Sequence, residues 1–316
     1  MSSSGSDIAR SVGAYAEKTW QGGEFFLRVE AHRRQYDPAV STDNAHDALP
    51  AWSLDREAAL ATSLRSHWPL RNPREWAWGG ATGAGVRVCI VDSGVDGSHP
   101  RVGAIQGAVA ITADAGGELV IAPDEEGDAF GHGTACASIV RGLAPDCEIH
   151  SVRVLGGELT GSGPALLSGL QWAIDQRFDV INLSLSTTKS RFAPELRELA
   201  DQAYFGGCLL VACAHNLPVP SFPWRFSSVL SVGSHAGHDL FEYHVNPSPP
   251  VEFAAPGVDV ELAWLGGATI RATGNSFAAP YMSGLAALVL SKHEGLRPFE
   301  VKTVLRAAAT NTQAAT

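Results

Sequence analysis

Beyond about residue 68, short apolar runs alternate along the chain with amphipathic stretches long enough for helices. Runs dominated by Val, Ile and Leu are typical of buried strands, and they occur at residues 86–91, 149–155, 180–185, 208–213 and 229–233. Helical spacing of apolar positions occurs at residues 134–141, 164–176, 194–205 and 298–309. Because apolar strands separated by helices form parallel sheets covered on both faces, this pattern predicts an α/β fold with a doubly wound, mostly parallel sheet and helices on both faces.

A long apolar stretch near the C-terminal end, residues 281–290, predicts a further buried helix. The heptapeptide Gly-Asn-Ser-Phe-Ala-Ala-Pro precedes it, at residues 274–280. Serine is favoured as a helix cap and proline is tolerated in the first turn, so the helix should begin near Ser276. A helix N-terminus stabilises an oxyanion, which suits the nucleophile of an acyl-transfer enzyme. A serine that only caps the helix fits this heptapeptide as well.

Residues 1–65 differ from the rest of the chain. They combine a polar start, one predicted strand at residues 25–32, a loop rich in Asp, Asn and Pro, and a short predicted helix near residues 56–65. We therefore divide the chain into an N-terminal accessory segment, residues 1–65, and a larger domain, residues 66–316. Our hypothesis for the segment is regulation or the binding of a partner.

The composition narrows the classes of function. With 316 residues, 45% of them apolar, the chain can bury one large core. A net charge of −10, from 23 basic and 33 acidic residues, argues against nucleic-acid binding, which needs a basic surface. Because the chain has neither a signal-peptide core nor an apolar span of membrane length, we expect no membrane association.

Cysteines and acidic residues give no sign of a disulfide or metal framework. The five cysteines are an odd number and lie mostly in apolar runs, as expected of reduced, buried thiols in a cytoplasmic protein. No Cys/His pattern suggests zinc. The acidic run at residues 124–126 with Asp128 lacks the spacing of a calcium loop and is interpreted as a solvated turn. No metal and no cofactor are predicted.

Three polar residues stand at strand ends or helix starts, where parallel-sheet proteins gather their chemistry. Asp92 follows the predicted strand at residues 86–91, where a buried carboxylate can orient an imidazole. His132 lies between two glycines ahead of a small-residue helix, and Asn216 follows the strand at residues 208–213, where its amide can donate to an oxyanion. Singly, these are a turn aspartate, a structural histidine and a loop asparagine. Their order, Asp, His, Asn and then Ser, favours a catalytic set.

Four motifs in this order resemble those of the subtilisin-like serine proteases, the subtilases or peptidase family S8. They are Val-Asp-Ser-Gly-Val-Asp at residues 91–96 with His-Pro at 99–100, Gly-His-Gly-Thr at 131–134, Val-Ile-Asn-Leu-Ser-Leu at 180–185, and the heptapeptide at 274–280. The resemblance covers roughly residues 66–316. It implies a subtilisin-like fold and a serine endopeptidase that cleaves peptides or proteins, in intracellular turnover or in the maturation of one specific peptide.

The resemblance also implies a role for each candidate residue. Ser276 is the nucleophile, His132 the general base and then acid, Asp92 the residue that orients the imidazole, and Asn216 the oxyanion donor beside the Ser276 N–H. Two segments resemble the two backbone edges between which the family binds an extended peptide by strand addition. They are Gly161-Ser162-Gly163 and Ser184-Leu185-Ser186. Three residues replace glycines of the pocket for the residue before the scissile bond and predict a narrower, more polar slot: Ser186, His215 and Ser221.

The chain departs from the family pattern in three places. Asn275 precedes the serine where threonine is usual, and His215 precedes Asn216 where glycine is usual. The path from His132 to Pro145 is short and lacks the loop with which many secreted members hold calcium, so we expect little dependence on calcium. A propeptide is the role that the resemblance suggests for the N-terminal segment, although the segment shows less strand and helix than a family propeptide would.

Two other enzyme classes fail on the order of their residues. Gly80, Gly83 and Gly85 precede the strand at residues 86–91, whereas a dinucleotide-binding loop follows its strand. An α/β-hydrolase needs an acidic residue and then a histidine after its serine, which the chain beyond Ser276 does not supply in that order. A catalytically idle subtilase fold that binds peptides stays open as the alternative. The sequence leaves the physiological substrate and the oligomeric state undetermined.

Overall fold

The chain divides into two units, Met1–His67 and Trp68–Thr316. The computed structural model describes most of the second unit and two strands of the first. The described residues are 72–114, 116–248 and 250–312, together with the backbone of 15–21 and 24–30.

The described part of the first unit is an antiparallel hairpin. It consists of β1 (Tyr15–Gln21) and β2 (Glu24–Glu30). The strand predicted at residues 25–32 corresponds to β2, whereas β1 was not predicted, because its sequence has no clear alternation of apolar and polar residues. The helix predicted near residues 56–65 lies outside the described residues.

The second unit is organised around a nine-stranded sheet. Its strands are β3 (Arg87–Asp92), β4 (Gly107–Ala113), β5 (Leu119–Pro123), β6 (Glu148–Arg153), β7 (Val180–Leu183), β8 (Leu209–Cys213), β9 (Leu230–His235), β10 (His244–Val245) and β11 (Phe253–Pro256). In space they follow the order β10-β11-β9-β8-β7-β3-β6-β4-β5. All neighbours from β11 to β4 are parallel, and β10 and β5 pair antiparallel at the two edges. The prediction of a mostly parallel sheet is confirmed.

Helices pack on both faces of this sheet, as predicted. They are α1 (Pro73–Trp78), α2 (His132–Leu143), α3 (Gly163–Asp175), α4 (Ala193–Gly206), α5 (Asn275–Lys292) and α6 (Pro298–Ala308). One hydrophobic core lies between the sheet and α1, α2, α5 and α6, and the other lies beneath α3 and α4. Successive residues of β3 alternate between the two cores: Val88 and Ile90 in the first, Cys89 and Val91 in the second.

Helix α5 is the most deeply buried helix of the site region. Its residues from Phe277 to Val289 are all buried, which explains why the sequence shows no polar face there. It approaches α2 closely at Gly284, where an added Cβ would lie 2.8 Å from the Cβ of Leu143. No helix among the described residues is long and apolar enough to cross a membrane.

The predicted strands all correspond to observed ones, with ends shifted by one or two residues. Strands β4, β5, β10 and β11 were not predicted, and neither was a separate hairpin of β12 (Val260–Ala263) and β13 (Thr269–Ala272). Most of these strands are short or contain polar or small residues, and β5 has an apolar run of only four residues, so none has a clear period. They are the two outermost strands at each end of the sheet and the separate hairpin, whereas the central strands carry the predicted site.

Candidate active site

A buried carboxylate–imidazole pair lies at the carboxyl edge of the sheet. Asp92 is the last residue of β3 and is fully buried, and His132, the first residue of α2, is 5% exposed. The Nδ1 atom of His132 lies 2.8 and 3.0 Å from the two Asp92 carboxylate oxygens and donates to them. The N–H of Ser93 also donates to Asp92, at 2.8 Å. Because Nδ1 carries the proton, Nε2 of the imidazole is left to accept one.

The surroundings of His132 change its proton affinity. Burial lowers the pKa of His132, but the charge of Asp92, the neighbouring Cys136 and the hydrogen bonds to both raise it by more, so the pKa lies well above the ordinary 6.5. Cys136 Sγ lies 3.9 Å from His132 Nδ1 and 3.8 Å from the Ser276 carbonyl oxygen. Burial raises the pKa of the Cys136 thiol, which therefore stays protonated.

A second aspartate organises the start of α2. Asp128 Oδ1 accepts hydrogen bonds from the N–H groups of Phe130 and Gly131 and from Ser93 Oγ, at 3.0, 2.7 and 2.7 Å. Its Oδ2 accepts from the N–H of Thr134 at 2.8 Å. These bonds satisfy N–H groups at the helix N-terminus, which would otherwise lack partners, and they connect α2 to the loop after β3. No motif in the sequence indicated this role of Asp128.

The interpretation of the acidic run as a solvated turn is therefore wrong for Asp128, and it is also wrong for Asp124. The side chain of Asp124 is fully buried and forms a salt bridge with Arg153, at 3.0 Å. Arg153 also contacts the exposed Glu126, at 2.9 Å. The sequence did not reveal the salt bridge between Asp124 and Arg153 of β6, because these two residues are far apart along the chain.

Close backbone contacts explain the two glycines beside His132. A Cβ on Gly133 would lie 1.9 Å from the carbonyl oxygen of Gly94. Gly131 has a φ of 112°, and a Cβ there would lie 2.7 Å from the Trp264 ring. Both positions exclude a side chain, so the glycines fix where the helix, and with it His132, sits against the loop after β3.

Ser276 is the second residue of α5, and Gly274 occupies the capping position. The prediction that Ser276 lies at a helix N-terminus is confirmed, and the alternative of a serine that only caps the helix does not hold. Its side chain is partly exposed and lines the same cleft as His132. Among the described contacts no hydrogen bond joins Ser276 to His132. Catalytic hydrogen bonds often tighten only when substrate binds.

The carbonyl group of Ser276 has lost its usual helical partner. The residue four positions on is Pro280, which has no N–H to donate. Ser184 Oγ donates to the Ser276 carbonyl oxygen instead, at 2.7 Å. Ser184 in turn accepts from Asn182 Nδ2 at 3.0 Å, and Asn182 accepts from Ser283 at 2.9 Å. This buried network connects the end of β7 to the first turns of α5.

Asn216 follows β8 and lies beside the start of α5. Its Oδ1 accepts a hydrogen bond from the N–H of Asn275 at 2.9 Å, which leaves the side-chain NH₂ group available as a donor. A Cβ on Gly274 would lie 3.1 Å from Ser276 Oγ and 3.6 Å from Asn216 Nδ2, so both atoms lie on the same side of Gly274. The amide is thus held close to the serine hydroxyl.

Asn275 connects three segments around this point. Its Oδ1 accepts from the backbone N–H and the hydroxyl of Ser234, both at 2.8 Å. Its Nδ2 donates to the carbonyl oxygen of His215 at 3.2 Å. The asparagine at the position before the serine therefore fixes the loop that carries Asn216 to the end of β9. The sequence analysis noted Asn275 only as a departure from a pattern.

These residues border a cleft of about 340 Å³. The site residues that line it are His132, Asn216 and Ser276, and the predicted binding residues that line it are Gly161, Ser162, Gly163, Ser184, Leu185, Ser186 and His215. Thr187 and Lys189 also line the cleft and were not predicted. Ser162 caps α3 by accepting from the N–H of Ala165 at 3.1 Å, so this edge is a loop that leads into a helix.

Comparison with known proteins decides the family. Residues 83–316 match the subtilase family, peptidase S8. The chain belongs to the subtilase family. It is a serine-type endopeptidase, and its substrates are peptides or proteins.

Individual relatives agree with this assignment. The chain is 30% identical to Subtilisin DY of Bacillus licheniformis over 247 residues, which cover 73% of this chain and 86% of that protein. It is 32% identical to the Major intracellular serine protease of Bacillus subtilis (strain 168) over 245 residues, which cover 71% and 74%. Among solved structures, a cold adapted subtilisin-like serine proteinase matches with a TM-score of 0.60 and 26% identity, covering 73% of this chain and 86% of that one.

In this subtilase, one predicted pocket residue lies outside the cleft. Ser221 is fully buried, and its hydroxyl accepts a hydrogen bond from Trp224 Nε1 at 2.7 Å. The prediction that Ser221 narrows the cleft is therefore corrected: its hydroxyl is directed to an indole N–H. His215 does line the cleft, but its Nδ1 accepts from the N–H of Leu217 at 3.0 Å, which ties the ring to its own loop.

Proposed function

We propose that Ser276, His132, Asp92 and Asn216 carry the peptide hydrolysis of this subtilase. The observation that supports this most is the buried contact of 2.8 Å between Asp92 and His132, beside a cleft that Ser276 and Asn216 also line. Ser276 Oγ attacks the carbonyl carbon of the scissile bond while His132 Nε2 takes its proton. The Asp92 carboxylate keeps Nδ1 protonated and stabilises the imidazolium that forms.

The developing oxyanion accepts hydrogen bonds from the NH₂ group of Asn216 and from the N–H of Ser276. His132 then donates its proton to the leaving amine as the C–N bond breaks, which leaves the acyl group on Ser276. A water molecule then gives a proton to His132 and attacks the acyl carbon. As the bond between this carbon and Ser276 Oγ breaks, His132 returns the proton to Ser276 Oγ, and the second product leaves with the new carboxyl group. The hydrogen bond from the Asn275 N–H to Asn216 Oδ1 supports this assignment, because it orients the amide with its donor end free.

Replacement of the nucleophile tests this proposal. Ser276→Ala should abolish hydrolysis and labelling by a fluorophosphonate probe, since only an activated serine reacts with it. The fold should persist, because the hydroxyl of Ser276 makes no hydrogen bond among the described contacts. Labelling of the unaltered protein is the critical control: an unlabelled, folded protein would instead support the alternative of an inactive peptide-binding module.

We further propose that the substrate binds as an extended strand between the loop at Gly161–Gly163 and the segment at Ser184–Ser186. Residues of both segments border the cleft, and the glycines exclude side chains there: a Cβ on Gly161 would lie 2.5 Å from the Val154 carbonyl oxygen. Main-chain hydrogen bonds would then supply affinity, and the cleft would select side chains.

For the residue before the scissile bond we propose a preference for small or polar side chains over Phe and Tyr. Ser186 and His215 line the cleft in place of glycines, and Lys189 adds a cation, while no acidic residue is among the lining residues. Added volume in a packed wall is accommodated only in part. Profiling a peptide library at this position tests the idea. Ser186→Gly should widen the tolerance, and a clear preference of the unaltered enzyme for Phe or Leu would contradict it.

Regarding location and role, we propose a cytoplasmic protease of protein turnover or of the maturation of one peptide. The five cysteines support this location, since each is buried and free of disulfide bonds. A relative named Major intracellular serine protease supports it as well. Cell fractionation tests the location, with export of the protein as the opposing result. A cleavage profile of the proteome tests the role, because turnover predicts many cleaved proteins and maturation predicts one.

The N-terminal segment, residues 1–65, is proposed as a regulatory or partner-binding piece. The hairpin of β1 and β2 is the described support for a folded element there. Mass spectrometry of active enzyme distinguishes this role from that of a removable propeptide. A stable, active species that retains residues 1–65 would support it, and activity found only after cleavage near residue 65 would favour the propeptide.

A further inference from the structure

Three side chains outside the catalytic cleft meet at the end of β9. The ligand atoms that His235, Glu242 and His244 could offer lie within 4.8 Å of one another, and all three residues are partly exposed. The imidazole rings of His235 and His244 have centroids 4.9 Å apart. His244 Nε2 lies 3.5 Å from Glu242 Oε1. None of these residues takes part in the proposed hydrolysis.

The sheet explains how residues distant in sequence come together here. Glu242 and His244 flank Tyr243 at the start of β10, and the side chain of Tyr243 is fully buried whereas its two neighbours are partly exposed. His244 pairs with Ala254 of β11, and Ala254 pairs with Gly233 of β9. The small residues Ala254 and Gly233 leave the space above β11 open, which allows the rings of His235 and His244 to meet across it.

Hydrogen bonds fix the tautomer of the His235 ring, and coordination through Nδ1 exchanges one of them. Its Nε2 lies 3.1 Å from the carbonyl oxygen of Glu242 and donates to it, because a carbonyl oxygen can only accept. Nδ1 therefore carries a lone pair, which accepts from the N–H of Gly237 at 2.8 Å. Histidine ligands of metals characteristically donate their second ring nitrogen to a backbone carbonyl in this way. The Gly237 N–H lies in a partly exposed turn, where water can replace Nδ1 as its acceptor.

The geometry points to a divalent transition-metal site of the zinc class formed by His235 Nδ1, Glu242 and His244, with water as the fourth ligand. Two imidazoles and one carboxylate suit zinc, whereas calcium and magnesium prefer sites made of oxygen ligands. With bond lengths of about 2.0–2.2 Å to each ligand, side-chain shifts on the order of 1 Å close the site. Sequence analysis predicted no metal, because the His-x6-Glu-x-His spacing matches no common zinc motif and the ligands converge only across β11.

A metal bound here would link the end of β9 to β10, which are separated by β11 in the sheet. Binding to the folded state alone raises its stability by mass action, since the unfolded chain cannot hold the three ligands together. The expected signature is therefore a melting temperature that rises with zinc concentration, and this rise should depend on Glu242 and His244.

The test is titration of the metal-free full chain with Zn²⁺ by calorimetry. His244→Ala and Glu242→Gln should each lose one equivalent of zinc and most of the thermal shift. The matched control is His238→Ala, which removes an exposed histidine of the same loop that is absent from the cluster. All three variants should hydrolyse peptide at the unaltered rate without zinc, which checks their folding.

A second readout separates this site from the buried group of Asp92, His132 and Cys136, whose ligand atoms also lie within reach of one ion. Co²⁺ bound to two imidazoles and a carboxylate gives visible bands without the charge-transfer absorption of a thiolate, whereas Co²⁺ bound near Cys136 would add it. Thiolate-free bands that disappear in Glu242→Gln support the site. Equal zinc binding by the unaltered protein and both ligand variants, or equal loss in His238→Ala, would overturn it.

Discussion

Asp128 and Asn275 do not act on substrate in the proposed mechanism, yet both position groups that do. Asp128 accepts five hydrogen bonds within 3.0 Å around the start of α2, next to His132. Asn275 joins Ser234 to the His215 carbonyl and, through its own N–H, holds Asn216. At the scale of the residue, the site depends on such fixed partners, because a displacement of about 1 Å can reduce a rate up to a hundredfold.

The pH dependence of hydrolysis follows from the environment of His132. Its raised pKa keeps the imidazole protonated to higher pH, and only the neutral ring can accept the proton of Ser276. We expect kcat/KM to rise with pH and to reach half its maximum above pH 6.5. Stability should respond in the opposite sense: the charged pair stabilises the fold fully below pH 6.5 and loses this effect as pH rises through the pKa of the folded state. If the pH profile of kcat/KM, measured with a non-ionising substrate, had its midpoint at or below pH 6.5, a raised pKa of His132 would be contradicted.

The two asparagines should differ in their effect on turnover. Asn216→Ala removes the proposed oxyanion donor and should lower kcat by about a hundred- to a thousandfold, with little change in KM. Asn275→Ala keeps the backbone N–H that holds Asn216 but releases His215 and Ser234, so its effect on kcat should be smaller. Steady-state kinetics of both variants measure this. Unchanged turnover in Asn216→Ala would assign the oxyanion role to another group.

At the scale of the element, Pro280 makes the junction of β7 with α5 depend on a side chain. Ser184→Ala should remove the hydrogen bonds that the Ser184 hydroxyl makes with the Ser276 carbonyl oxygen and with the Asn182 amide, in a buried part of the protein. The expected loss is about 1–3 kcal/mol in the free energy of unfolding, measured by urea titration. Ser186→Ala, at a partly exposed neighbour, is the control and should change stability by less than about 0.5 kcal/mol. If Ser184→Ala and Ser186→Ala changed the free energy of unfolding equally, the hydrogen-bond network around Ser184 would add no stability.

At the scale of the whole molecule, the fold leaves no calcium loop after His132. Residues 132–143 form one continuous helix, and Asp124 is paired with Arg153. Since this part of the chain offers added calcium no loop to bind, adding calcium to the metal-free protein should leave the melting temperature unchanged within about 1 °C. Differential scanning calorimetry measures this, and a rise of tens of degrees would reveal a calcium site elsewhere. Zinc should act independently of calcium in the same experiment.

The fold class, the central strands and the residues of the proposed catalytic set could all be predicted from the sequence. Strands of the interior are apolar throughout, and helices show a regular apolar period, so both are visible in a local window. Asp92, His132 and Ser276 were visible for a related reason, because each lies in a short motif at the end of a strand or the start of a helix. The edge strand β5 was missed because its apolar run, Leu119 to Ala122, is too short to be assigned by its period alone.

The contacts between polar side chains, in contrast, became visible only in the folded protein. Asp124 with Arg153 and Asn275 with Ser234 are pairs whose contacts no motif predicts. The contact of Ser221 with Trp224 is local, but it too has no motif, and it removed Ser221 from the cleft. The cluster of His235, Glu242 and His244 depends on the strand order β10-β11-β9 and on small residues in β11 and β9. Local sequence fixes the period of an element, whereas the partner of a side chain depends on how elements distant in sequence pack together.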